Sequence, residues 1–248
     1  MKSSRVNGID LLRGAAILLM VIYHGLFSLV YIFGVELDWF HSPLFNDLGA
    51  PLLGGTFVLI SGISSRFSRS SLKRGVQVFF WALVMTAATA LVVPDLTIRF
   101  GILHLLGCCM ILGALLRPWL DKIPRRVGLG ISLALFALTY NVPRGYLGFR
   151  SLAYLPLRTE NPYLFPFGLI TAGFSSSDYY PLMPWFFLFL AGIYLGSWIQ
   201  EGKGPKCLYP SHLPWLEAVG RHTLWIYVLH QPVMIALFWL WFQLFPLK

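Results

Sequence analysis

Asp10, Arg13 and His24 carry the strongest chemical signal in this chain, because all three lie along its first long apolar stretch. In a helix turning about 100° per residue, Arg13 and His24 differ by about 20° and Asp10 lies about 40° from His24, so the three share one face. The rise sets His24 roughly 16 Å beyond Arg13. That face carries an acid and a guanidinium near one end and a titratable imidazole towards the other. An imidazole with an ordinary pKa of about 6.5 can accept a proton at neutral pH, which suits a general base and equally a nucleophile that carries an acyl group. His104 and His230 also fall within apolar stretches.

The elements that position these residues belong in a membrane. The chain is 57% hydrophobic and 12% charged, with a mean hydropathy of +0.69, whereas soluble domains carry about 25% charged residues. An uncompensated charge at mid-bilayer costs about 2.5–3.5 kcal/mol on insertion scales, so ionisable residues kept there are functional candidates. Apolar runs near 9–33, 45–64, 76–93, 101–117, 126–141, 182–199 and 216–245 predict an all-α polytopic bundle of about seven spans. The stretch 163–174, interrupted by Pro166 and Gly173, is too short to cross and reads as interfacial or re-entrant. Pro232 should kink the last span. Asp10 and Arg13 interrupt the start of the first span, so it is expected to stay rather than be cleaved as a leader. Residues 1–248 show no internal repeat or long linker and read as a single domain.

With the N-terminus in the cytoplasm, the loops place fourteen of the 19 Lys and Arg inside and only Arg99, Arg144, Arg150, Arg158 and Lys248 outside. This positive-inside bias puts the C-terminus outside. It also accounts for the net charge of +9 through topology and anionic lipid head groups, not nucleic acid. On that frame His24 lies about 22 Å and His230 about 21 Å from the inner ends of their spans, and His104 about 7 Å from the outer end of its own. The three histidines share a depth in the outer half of the membrane. A common site and three separately packed histidines are both compatible with that. No carboxylate or cysteine is placed to complete a metal site around them, and Cys108, Cys109 and Cys207 have neither metal nor disulfide spacing, so no metal is expected.

Arg13 and Asp10 either anchor the helix as an i,i+3 pair or join Arg66, Arg69, Lys73 and Arg74 in a basic cytoplasmic mouth for a phosphate-bearing ligand. Arg221 falls on the same side. Ser61, in the run Ser61-Gly62-Ile63-Ser64-Ser65-Arg66, either allows close helix packing or bonds a ligand. On the outer side, Asp178, Tyr179 and Trp185 at a helix entrance form an aromatic belt or a platform for a sugar or other hydroxylated acceptor.

Asp10-Leu11-Leu12-Arg13-Gly14 with its following His24 resembles the first-span signature of transmembrane acyltransferases, in particular bacterial relatives of the heparan-alpha-glucosaminide N-acetyltransferase catalytic domain. Phe57 to Gly62, Asp178 to Trp185, and Gly220 to Tyr227 running on to His230-Gln231-Pro232 resemble the same group. The resemblance implies transfer of an acyl group, usually acetyl, from cytoplasmic acyl-CoA to an acceptor reached from the outer face of the bacterial cytoplasmic membrane. His24 matches the family's essential first-span histidine, and Arg13 its charged position nearer the acyl-CoA. Partners would be acyl-CoA, a small-molecule or glycan acceptor and membrane lipid, with self-association left open. The alternative is a proton-coupled transporter using the histidines as a relay, against which the lack of an inverted repeat counts.

Overall fold

The computed structural model of the chain describes residues 6–245. Lys2, Arg5 and Lys248 of the loop-charge pattern lie outside the described residues. The protein is all-α and polytopic. Its helices are α1 (Asn7–Tyr31), α2 (Ala50–Ser65), α3 (Ser71–Val92), α4 (Ile102–Leu120), α5 (Arg125–Thr139), α6 (Leu182–Gln200), α7 (Pro214–Arg221) and α8 (Thr223–Leu244). A hairpin of β1 (Tyr146–Phe149) and β2 (Ala153–Pro156) lies between α5 and α6.

Among the described residues α1, α3, α4, α6 and α8 are long and apolar enough to cross a membrane, and α2 is a shorter apolar helix. The seven expected crossings differ from this in three places. The π-helical turn Leu44–Gly49 runs into α2, which is itself 16 residues long. With 15 residues, α5 reaches only about 22 Å at 1.5 Å per residue, short of the roughly 30 Å hydrocarbon layer. The last apolar run divides at His222, whose backbone leaves helical geometry (φ −109°, ψ 18°). Beyond it α8 continues through Pro232 as one helix.

The hairpin was not expected from the hydropathy pattern. Gly148 supplies its positive φ of 88°, and Tyr146 to Phe149 pair in antiparallel register with Pro156 to Ala153. The segment predicted too short to cross holds the 3-10 turn Pro162–Phe167.

The backbone groups into two compact units, Met1–Phe57 with Lys206–Lys248, and Val58–Pro205. In the first, α1 packs against α7 and α8. Two glycines permit this approach: a Cβ on Gly14 would strike the carbonyl oxygen of Leu216, and one on Gly220 that of Asp10. Pro214 opens α7 at a position where its missing N–H costs nothing. Glu217 then reaches back, accepting from Ser211 Oγ (2.8 Å) and the His212 amide (3.0 Å). These bonds, with the nearby Arg221 guanidinium, outweigh the burial that pushes the Glu217 carboxyl up and hold its pKa below the ordinary carboxylate value.

In the second unit α3 pairs with α4, α5 with α6, and α4 touches α6. Gly107 lets α4 press against the backbone of Phe79 on α3. Ser70 caps α3 by accepting from the Lys73 amide (3.3 Å). Only 11% of the most apolar window of α3 is buried, and Phe80, Leu83, Leu91 and Val92 stand exposed along it, as a lipid-facing helix requires.

Candidate functional site

The two signature stretches of the first unit meet. Gly220 rests on the backbone of Asp10, and Arg13, four residues before Ile17 in the core of α1, donates from Nη2 to Thr223 Oγ1 at the start of α8 (3.0 Å). Its Nη1 lies 3.5 Å from Asp10 Oδ1. The ion pair expected from the i,i+3 spacing is therefore present, and the guanidinium also ties α1 to α8.

Further along the same face, the His24 ring lies 5.0 Å from that of His230, centroid to centroid, at 61°. Tyr23 and Tyr227 complete a cage, with centroids 5.4 Å and 6.3 Å from His24. Hydrogen-bond chemistry fixes the protons here. His230 Nδ1 lies 2.5 Å from the Tyr227 carbonyl oxygen, which can only accept, so Nδ1 carries the proton and Nε2 keeps the lone pair. That Nε2 is buried and has no hydrogen-bond partner among the described residues.

Ser28 holds α8 in place behind the histidines. Its hydroxyl donates to the His24 carbonyl (2.8 Å), leaving its oxygen to accept from Gln231 Nε2 (2.8 Å). The amide of Gln231 is thereby oriented, and its Oε1 is left buried without a partner among the described residues. A buried acceptor without a donor costs about 1–3 kcal/mol. Two such acceptors sit on adjacent residues of α8, both able to take a hydrogen bond. Ser28, Tyr227 and Gln231 were not singled out from the sequence, although Ser28 falls about 40° from His24 on the same helix face and Gln231 is inside the quoted signature.

His104 belongs to the second unit. Thr86 Oγ1 donates to the Ile98 carbonyl (2.6 Å), so it accepts from His104 Nε2 (3.3 Å), and the lone pair rests on Nδ1. This Nδ1 too is buried and unpartnered among the described residues, with the ring stacked on Phe100. Ser61 is buried in α2. Arg66 pairs with Asp121 (2.6 Å). Arg221 ends α7 exposed.

The three residues expected at an outer platform have internal tasks. Asp178 Oδ2 accepts from the Ile102 amide (3.0 Å) and so caps α4. Tyr179 donates to the Phe165 carbonyl (2.7 Å), and burial raises its pKa. Trp185 is buried between Phe136 and Tyr180. The cysteines are free, and no three of His, Cys, Asp or Glu converge among the described residues.

The chain is a polytopic α-helical membrane protein that keeps an imidazole pair inside its helices, with one ring nitrogen buried and unpartnered among the described residues. The family model described as heparan-alpha-glucosaminide N-acetyltransferase, catalytic, matches residues 5–232, and the chain belongs to that family of acetyltransferases. No curated protein and no solved structure matches the chain.

Proposed function

We propose that the protein transfers an acetyl group from acetyl-CoA to an amine or hydroxyl of an extracytoplasmic acceptor, a saccharide by the family's description. The observation that carries this is the buried, unpartnered Nε2 of His230 in ring contact with His24. The acceptor N–H or O–H gives its proton to the imidazole pair while its lone pair attacks the thioester carbonyl. The C–S bond then breaks, and the CoA thiolate leaves with that proton. The products are the acetylated acceptor and CoA thiol. Where the acceptor is an amine, Gln231 Oε1 accepts its second N–H and orients it. Base catalysis supplies about 10²–10⁴ in rate, and the juxtaposition of two bound reactants much of the remainder. Arg13 and Arg221 contribute positive charge at the opposite end of α1, towards the donor.

The N-terminus lies in the cytoplasm in this reading, so donor and acceptor approach from opposite sides and only the acetyl group crosses. Purified protein should release CoA thiol from acetyl-CoA, and His24→Ala should abolish that release while its melting temperature persists. In sealed vesicles, acetyl-CoA on the N-terminal side should support acetylation of an acceptor on the other side. Equal activity with acetyl-CoA supplied on either side would refute the crossing, and unchanged thiol release in folded His24→Ala would refute the site.

A further inference from the structure

The second unit contains a cavity of about 230 Å³ where the turn after α2 meets α3, α4 and α6. That is far more than the roughly 10–15 Å³ a single water needs. Its rim is built of donors. Arg66, Ser68, Arg69, Ser70 and Arg117 line it, and no carboxylate does. The Arg66 Nε–H and the Ser68 hydroxyl are buried without partners among the described residues. Arg69 is exposed and unpaired among the described residues. One carboxylate, Asp121, offsets this charge nearby, at 2.6 Å from Arg66 and 3.6 Å from Arg117. The floor, by contrast, is apolar: Met110, Ala114, Phe189 and Ile193.

The helix that opens at this rim reinforces the demand for an anion. α3 begins with Ser71, has no acidic residue in its first turn, and has Lys73 and Arg74 there instead. Cations at a helix N-terminus oppose its dipole, by about 0.3–1 kcal/mol each, and a bound anion reverses the sign. Positive-inside topology explains basic residues in a loop, but not a buried guanidinium N–H and a buried hydroxyl left unsatisfied on two residues that line a cavity.

We propose that this cavity binds a phosphoryl ester, its anionic head held by Arg66, Ser68, Arg69 and Arg117 and its uncharged arm laid on the apolar floor. Planar guanidinium forks and hydroxyl donors suit phosphate oxygens, and the mixed lining selects an ester over a free ion. Two sources carry that chemistry: the phosphates of CoA, and an anionic phospholipid head group. The inference stands on the cavity and is independent of whether the histidines transfer acetyl.

The test uses the full chain in phosphatidylcholine nanodiscs, with and without phosphatidylglycerol, and the probes CoA, dephospho-CoA and pyrophosphate. Binding is read by calorimetry and stability by thermal melting. Arg69→Gln and Arg117→Gln leave the Arg66–Asp121 pair intact and should fold, and Arg69→Lys should restore part of any loss. With CoA as the source, each Gln variant weakens CoA about tenfold, the worth of one charge-assisted contact, and phosphatidylglycerol changes nothing. With lipid as the source, phosphatidylglycerol raises the melting temperature of the wild type more than of the variants, and CoA binding is unaltered. If no phosphate compound and no anionic lipid separates folded variants from wild type, the proposal is overturned. Because binding is read rather than turnover, a wild type that binds CoA yet transfers nothing would count against acetyl transfer alone.

Discussion

His230→Asn separates the proton-accepting role of His230 from its structural one. The asparagine amide nitrogen can occupy the place of Nδ1 and keep the hydrogen bond to the Tyr227 carbonyl, which spans 2.5 Å in the wild type. It offers no nitrogen lone pair where Nε2 stood and takes up no proton at neutral pH. Stability should therefore fall only by the packing of the missing ring atoms against His24 and Tyr227, about 1 kcal/mol, typical of a single substitution. If Nε2 is the base, the rate falls by about 10²–10⁴, or about 2.7–5.4 kcal/mol at 1.36 kcal/mol per tenfold. The assay is thiol release from acetyl-CoA under saturating donor, beside thermal melting of the same preparation. A variant that melts near the wild type and turns over at the wild-type rate would refute the role of His230, whatever the behaviour of His24. A variant losing several kcal/mol of stability would show instead that the ring is chiefly a packing element.

Gly220→Ala should destabilise the protein by about 1–3 kcal/mol although alanine is the better helix former, because its Cβ meets the Asp10 carbonyl oxygen and backbone cannot give way. Gly130→Ala on α5, with nothing within 4 Å of its Cβ, should stabilise by up to about 1 kcal/mol, and thermal melts of the two compare directly. Glu217 has a folded-state pKa held below its unfolded value of about 4.3, so its stabilisation is fully present above that value and is lost as pH falls through the lower folded-state pKa. Glu217→Gln should flatten this acid limb of the pH–stability curve, and a curve of unchanged slope would contradict the Ser211 and His212 bonds as its source.

Much of the first unit was legible in the sequence. The spacing of Asp10, Arg13 and His24 gives one helix face, and the small residues Gly14 and Gly220 in the two quoted signatures are where the structure brings α1 and α7 together. The division at His222 was not legible. Trp215, Leu216 and Val219 read as lipid-facing in a hydropathy window, while the bonds that isolate α7 come from Ser211 and His212 upstream. Asp178 was equally opaque, because its partner, the Ile102 amide, is distant in sequence and becomes an unsatisfied donor only once α4 exists. The common depth of His24, His104 and His230 was a statement about height along each span. Height leaves open which helices are neighbours, so the structure could place His24 beside His230 while His104 belongs with Thr86, Phe79 and Phe100.

Intramembrane polar groups divide by whether their own helix can satisfy them, and this division separates structural from chemical residues more sharply than their presence does. Ser132 donates to the Gly128 carbonyl, Thr139 to Leu135 and Ser197 to Ile193, each one turn back, so none of these hydroxyls needs anything further. Asp10, Arg13 and Thr223 satisfy one another across two helices. Among the described residues His104 Nδ1, His230 Nε2 and Gln231 Oε1 follow neither pattern and all three are acceptors, while the Ser64 hydroxyl near the end of α2 is unpartnered too. In hydrocarbon a surplus of acceptors is a demand for a proton-bearing partner, and His230 and Gln231 make that demand side by side next to His24. The amine of the proposed acceptor, with two N–H bonds to offer, would meet that demand.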